Sequence, residues 1–410
     1  MSRIQRNKVL AIVSSVLRTL CVLCATGTLF QTFLSSVGFS EKQIYLNATL
    51  VQAVNVGTIL LFSHFADGKR PHLRSALVQI PNGLLFLAYL PFCLGQGASS
   101  FLLLTAVSLL QSVCTALNTV CEYKLPYLLY KPTDYATVQA IIGVLSAAAT
   151  FGIGELLHYL EARVPYDRLM LYIFPIAALF FALAGVAALF YSVAVKECEQ
   201  ENEAVTRAPR ISAFSIFRRP VFYLLLPANL LRGFASGVVT VLATVAISLG
   251  FGAELTTRMV SLSAVANLVG CLLFGLVSRY LSPRISILVG SLCFLSLPLC
   301  LEGSPALFLL AYAVVYFGRS IVDVAVPSLL VCAVDADIAG PYNAWRMILH
   351  NGGTLLATAI ASYLSPKMLL LLALGGSVVS GISFFAIRLL RVASPWLSRK
   401  PHLLHLHKGK

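Results

Sequence analysis

Two arginines, Arg18 and Arg232, stand deep inside long apolar runs, at matching places in the two halves of the chain. A guanidinium offers a planar fork of donors that meets a carboxylate or phosphate through two parallel hydrogen bonds. The pair suits an anion clamp; equally, each arginine suits a nearby acid as partner or a reach toward a polar edge. Arg319 and Asp323 are four residues apart, so on a helix they share a face. They neutralise each other, or Asp323 takes up a proton while Arg319 tunes its charge. Glu122 lies four residues before Pro126, as Asp323 lies four before Pro327. Glu122 is therefore a second proton candidate, or a partner for Arg18. Lys124 follows two residues on and does not face it on one helix. Arg346 and His350 are also four apart; the histidine titrates near neutrality or rests as a hydrogen-bonded interior group. Gln31 and Asn229 join the arginines as expected ligand contacts. With Asn47, Asn55, Gln139 and Asn267 they also suit bonding between helices.

The elements that must hold these groups follow from composition. Of 410 residues, 58% are apolar and 11% are charged, against about 25% charged in soluble domains. Mean hydropathy is +0.86. So few charges cannot cover a soluble surface. A soluble enzyme, a disordered chain and a secreted disulfide scaffold are excluded, and lipid is the expected solvent. A helical span needs about 20 apolar residues. Twelve stretches meet that measure: approximately 9–35, 43–65, 73–94, 98–122, 134–158, 168–194, 220–249, 255–278, 284–301, 304–330, 341–364 and 368–391. The fold class expected is an all-α polytopic membrane protein with two pseudo-symmetric six-helix bundles. Residues 1–195 form the first bundle, 196–219 a cytoplasmic linker, and 220–410 the second bundle with a basic tail.

A mid-bilayer charge costs at least about 2.5–3.5 kcal/mol, so the interior charges named above are expected to work. The remaining charges set orientation. Lys69, Arg70, Arg74, Lys124, Lys131, the linker bases, Arg279, Arg284 and the tail fall on one side; the other side holds only Lys42, Arg163, Arg168, Arg258 and Lys367. Both termini are expected to be cytoplasmic. The loop after the tenth span, with Asp335 and Asp337, breaks the pattern. The net charge of +14 is thus assigned to topology and not to nucleic acid. The basic start running straight into a long apolar stretch reads as a retained first span, not a signal peptide. The ten cysteines, including Cys21 and Cys24, read as small apolar residues. His402, His405 and His407 read as part of a basic tail.

The halves repeat. Phe39 and Phe251 each follow a glycine, and the same separation carries Asn55 onto Asn267 and Phe62 onto Phe274. Leu17-Arg18 matches Leu231-Arg232, and Tyr135–Gln139 matches Tyr342–Arg346. Repeats of this kind place a binding site near the bilayer midplane, between the halves.

Ser63-His64-Phe65-Ala66-Asp67-Gly68-Lys69-Arg70 resembles the loop between spans two and three of the major facilitator superfamily, G-x-x-x-D-[RK]-x-G-[RK]-[RK]. Ser63 replaces the first Gly, and one residue is missing before the bases. Gly275 to Arg284 is a weaker second copy, with Arg279 where the acid belongs. Gly38 to Ile44 also looks like this superfamily's first link. The resemblance implies a gate at Asp67, Lys69 and Arg70, with Asp67 facing a helix N-terminus of the other half. It also implies rocking of two halves about a central site. The organophosphate transporters of this superfamily place basic residues in spans one and seven, as Arg18 and Arg232 are placed here. The superfamily's basic motif in span four is missing. So is the Gly-Pro motif of its drug/proton antiporters: after Gly143 and Gly152 no Gly-Pro follows.

The resulting expectation is a secondary transporter in the cell membrane, of the plasma or inner membrane type. It moves a small organic anion, coupled to protons. Arg18, Arg232, Gln31 and Asn229 bind the substrate; Glu122, Asp323 and Arg319 carry proton coupling. No cofactor, metal or nucleic acid is expected, and the protein is expected to be a monomer and not an enzyme. The alternatives are an efflux carrier for amphipathic compounds and a non-transporting receptor on the same fold.

Overall fold

The computed structural model describes residues 3–26, 28–62, 70–94, 101–122, 125, 129, 132–161, 163–191, 220–277, 281–333 and 339–393. The linker expected at 196–219, Asp67, Lys69, Lys124, Asp335, Asp337 and the tail histidines lie outside the described residues. Among the described residues there are helices and no strands.

Helical stretches occupy every expected span. In order they are Arg3–Thr26 with Thr28–Ser36, Glu41–Leu61, Pro71–Cys93, Phe101–Glu122, Pro132–Glu161, Tyr166–Leu189, Pro220–Thr240 with Leu242–Ser248, Ala253–Val277, Pro283–Leu301, Pro305–Ala333, Ala339–Ala361 and Pro366–Ala393. They are called spans one to twelve below. Among the described residues nine are long and apolar enough to cross a membrane by themselves. Span seven makes a tenth if its two pieces, bent by 45° at Val241, count together. Inner and outer below follow the orientation expected from the Lys and Arg distribution.

Local chemistry explains the helix ends. Spans three and nine both begin on a proline at the first helical position, Pro71 and Pro283, where the missing N–H is not needed. Both tighten into 3-10 geometry, at Phe86–Tyr89 and at Cys293–Leu301. Ser40 caps span two reciprocally with Gln43, the capping-box arrangement. Gly38 and Gly250 both have positive φ, 90° and 85°. Gly38 N donates to Ser35 O and Phe39 N to Leu34 O, as Gly250 N donates to Ile247 O and Phe251 N to Ala246 O. These are two copies of one Schellman ending, at the Gly-Phe pairs that mark the repeat.

Side chains pointing away from the bundle are apolar, with Leu102 82% and Leu61 79% exposed. Only a lipid surround makes such exposure favourable. The interior has two main cores. Phe30, Phe33, Phe86, Tyr89 and Phe174 anchor one in the N-terminal half. Phe234, Phe294, Phe308 and Tyr312 anchor the other in the C-terminal half. Tyr45 belongs to the second core and Val260 to the first, so each half sends a residue into its neighbour.

The halves meet where span five runs along span eight and span two along span eleven. The first seam depends on a small residue. A Cβ on Gly154 would lie 2.8 Å from Ser261 N and 3.0 Å from its Cα. Asn55 on span two accepts a 3.0 Å bond from Asn351 Nδ2 on span eleven. Its repeat mate Asn267 instead contacts Cys271 on its own helix.

Candidate functional site

Arg18 on span one pairs with Glu122 on span four. Arg232 on span seven pairs with Asp323 on span ten. The two pairs occupy corresponding places in the repeat. Both pairs are partly exposed, 23% and 29% for Arg18 and Glu122 and 13% and 46% for Arg232 and Asp323, and in each the guanidinium is occupied by its acid. An arginine–arginine clamp across the axis is not what the structure brings together; each guanidinium is taken by a carboxylate of its own half.

In the C-terminal half the acid is shared. Arg319 Nε lies 3.6 Å from Asp323 Oδ2, one helical turn away on span ten. Arg319 also sits 5.6 Å from the Tyr316 ring centroid, within cation–π reach. The Asp323 side chain remains 46% exposed and that of Arg232 only 13%. These three residues, with Ser236, Ser291, Phe294, Ser377 and Ser380, line a crevice of about 20 Å³. That is room for one water, which needs roughly 10–15 Å³. Ser377 Oγ donates to Ser291 O at 3.3 Å and Ser380 Oγ to Ala228 O at 2.8 Å, tying span twelve to spans nine and seven. His350 on span eleven is an electrostatic neighbour of Arg232, Asp323 and Arg319. Its Nδ1 is buried and lacks a hydrogen-bond partner among the described residues. Spans seven and eleven are close because of glycine: a Cβ on Gly237 would lie 2.8 Å from Thr354 Cα and from Ala357 Cβ.

The N-terminal pair is set in a hydrogen-bond network that composition gave no reason to single out. Asn118 Nδ2 donates to Glu122 Oε1 at 2.7 Å. Asn118 Oδ1 accepts from Ser75 Oγ at 2.7 Å and from Gln79 Nε2 at 2.9 Å. Further out, Asn82 donates to Thr115 at 3.2 Å and Tyr89 to Gln111 at 2.9 Å. The signal was present in the sequence. Ser108, Gln111, Thr115, Asn118 and Glu122 recur at spacings of three and four, a polar stripe on an otherwise apolar helix.

The other expected ligand contacts fall elsewhere. Gln31 is buried at the outer seam, where its Nε2 donates to Thr240 O at 2.5 Å and its Oε1 accepts from Thr244 Oγ1 at 2.9 Å. Nearby, Thr32 Oγ1 meets Thr256 Oγ1 at 3.0 Å, and Thr257 Oγ1 donates to Glu161 Oε2 at 2.8 Å. All four bonds join the halves and close the outer end. Asn229 is buried in span seven, donating to Leu225 O at 2.7 Å. Of the expected gate, Arg70 is described; it is exposed and caps span three without a side-chain bond.

The sequence matches the profile of the Major Facilitator Superfamily over residues 10–358. The chain belongs to this superfamily. No curated protein matches it. Among solved structures, this superfamily member is similar to the nucleoside transporter NupG, with 16% identity and a TM-score of 0.63 over 95% of this chain and 99% of that one. A D-xylose-proton symporter matches with 13% identity and a TM-score of 0.67, covering 94% and 98%. A bacterial homologue of the iron transporter ferroportin in its outward-facing state matches with 14% identity and a TM-score of 0.66, covering 95% and 100%. At these identities the likeness speaks for the fold. Family membership, with nine to ten candidate membrane spans among the described residues, indicates a multi-pass membrane transporter.

Proposed function

We propose that this superfamily member is a proton-coupled secondary transporter of a small organic anion. It works by alternating access of halves 1–195 and 220–410, linked by 196–219, around Arg232, Arg319 and Asp323. The observation that carries the reading is a carboxylate held by two guanidinium groups yet nearly half exposed beside a serine-lined crevice.

Asp323 acts as an internal stand-in for the substrate. An incoming carboxylate or phosphate seeks the same fork that Asp323 occupies. If both anions stayed charged, one would be left unpaired in a poorly solvated site. A proton on Asp323 removes the competition and releases Arg232 and Arg319 to the substrate. Proton and anion therefore bind together. After release, Asp323 gives up the proton and takes back Arg232, so the empty carrier returns with its charges paired. The groups facing Asp323 are Arg232 from span seven, Arg319 on its own helix, His350 from span eleven and Cys271 from span eight.

The test is uptake into proteoliposomes of a panel of labelled monocarboxylates, dicarboxylates and phosphate esters under an inward proton gradient. One member is expected to accumulate. A charge-assisted hydrogen bond contributes about 1.5–3 kcal/mol, so Arg232→Gln and Arg319→Gln are each expected to lower kcat/KM roughly 10–150-fold. Wild-type uptake in both variants rules the anion site out. Export of amphipathic compounds that survives both substitutions supports an efflux carrier instead.

A further inference from the structure

The halves repeat the ion pair but not its setting. Four residues before Glu122 stands Asn118; four before Asp323 stands Arg319. Counting from the matched prolines Pro71 and Pro283, Gln79 of span three corresponds to Ser291 of span nine. In the C-terminal half these positions give a second positive charge and a short hydroxyl beside an open crevice. In the N-terminal half they give two amides joined by a hydrogen bond, with Ser75 completing a triangle: Gln79 Nε2 also donates to Ser75 Oγ at 2.7 Å.

The triangle fixes the Asn118 amide. Its Oδ1 accepts from both Ser75 and Gln79, so the NH2 is the end that faces Glu122. Ser75, Gln79 and Asn118 are all at most 3% exposed. Glu122 is thereby addressed by two groups that only donate, the Asn118 amide and the Arg18 guanidinium. A carboxylate accepts from both; a protonated acid would direct its own O–H at a donor. Asp323 is also held only by donors, but it is 46% exposed and lines the crevice, where an incoming anion can take Arg232 and Arg319 from it; Glu122 is 29% exposed and is not among that crevice's lining. The other groups around it are Tyr191 and Cys21 beside Arg18 and Arg74 beside Cys121.

We propose that Arg18–Glu122 is a fixed brace that keeps both charges throughout the transport cycle, with Asn118 as its positioning residue. Proton and anion exchange are then confined to the C-terminal half. The inference rests on the reading of Asp323 given above. It assigns the two repeat-related acids opposite roles, although the sequence marks them as equivalent.

The test is infrared difference spectroscopy of the full chain in lipid, saturated with the anion that accumulates in the uptake test, between mildly acid and mildly alkaline solution, reading the C=O stretch of the protein's protonated carboxyl groups. Arg18→Gln combined with Glu122→Gln removes the pair whole and leaves no lone charge to disrupt folding. This double variant is expected to show the same carboxyl intensity as the wild type. Loss of one carboxyl's intensity overturns the brace. Asn118→Ala keeps both charges but removes the amide donor, and is expected to gain carboxyl intensity as Glu122 begins to take up protons. A spectrum unchanged from wild type overturns the role of Asn118. Asp323→Asn is expected to lose one carboxyl's intensity. If it does not, the proton site at Asp323 is overturned, whatever the other two variants show for Glu122.

Discussion

Asp323→Asn is expected to exchange its anion across the membrane at all pH values with the affinity that the wild type reaches only in acid. In the proposed cycle the wild-type carboxylate, paired with Arg232 and Arg319, competes with the substrate for them. Its competition weakens as pH falls and the proton occupies it, so wild-type affinity rises toward acid. An amide never competes as an anion, so the variant's affinity stays flat. Net accumulation suffers the opposite fate. The empty variant must return with Arg232 and Arg319 facing no carboxylate, and leaving buried charge uncompensated costs about 3–5 kcal/mol. The half-exposed position of Asp323 screens part of this. Even about 1.4 kcal/mol is tenfold in rate, so proton-driven accumulation is expected to fall by tenfold or more while exchange persists. Labelled-anion exchange and net uptake, compared over a pH series, check both halves of the statement. Retention of the wild-type pH dependence by the variant would remove Asp323 from the coupling step.

Gly154→Leu is expected to hold the outer end open. The Gly154–Ser261 approach exists only while span five lies against span eight, beside the bonds from Glu161 to Thr257 and from Gln31 to Thr240 and Thr244. Even a single carbon at Gly154 meets the Ser261 hydroxyl first and then the Ser261 backbone at 2.8–3.0 Å; the hydroxyl can rotate away, but the backbone cannot. Overpacking of this kind costs about 1–3 kcal/mol. Because it acts on the outer-closed arrangement alone, it shifts the population toward the outer-open one by roughly 5–150-fold. The transport rate falls with the fraction able to close. Thr256→Cys provides the readout, since Thr256 is 1% exposed in the closed seam. A membrane-impermeant thiol reagent is expected to label it in Gly154→Leu and to spare it in the parent. Equal labelling, with normal transport, would show that this seam does not open in the cycle.

Much of the architecture was legible in the amino-acid sequence. Arg319 and Asp323 announce their contact by a spacing of four. The Gly-Phe repeat foretold two identical helix endings. The place of each span followed from apolar length, and the Arg18–Glu122 contact stood among the options. The partner of Arg232 was not legible. Spans seven and ten each carry a polar stripe, Asn229–Arg232–Ser236 and Tyr316–Arg319–Asp323, but a stripe on one helix does not give its rotation against another. Without that rotation an arginine on one helix cannot be assigned to an acid on another. Gln31 misled for the same reason: its type suits a ligand, but its place on the helix puts it at the outer seam. Gly154 carries no signal at all, because what it permits is an approach by Ser261 from the other half. The polar stripe from Ser108 to Glu122 was legible, and it is what sets the surroundings of the Arg18–Glu122 pair apart from those of Arg232–Asp323.

One proton is proposed to travel with the anion because Asp323 must be neutralised before Arg232 can take the substrate. The most direct measurement is simultaneous recording of anion uptake and internal acidification in proteoliposomes loaded with a pH-sensitive dye. Acidification is expected in step with net anion entry, both lowered roughly 10–150-fold by Arg232→Gln and tenfold or more by Asp323→Asn, whose exchange persists without them. Anion entry without acidification in the wild type would contradict the coupling at Asp323.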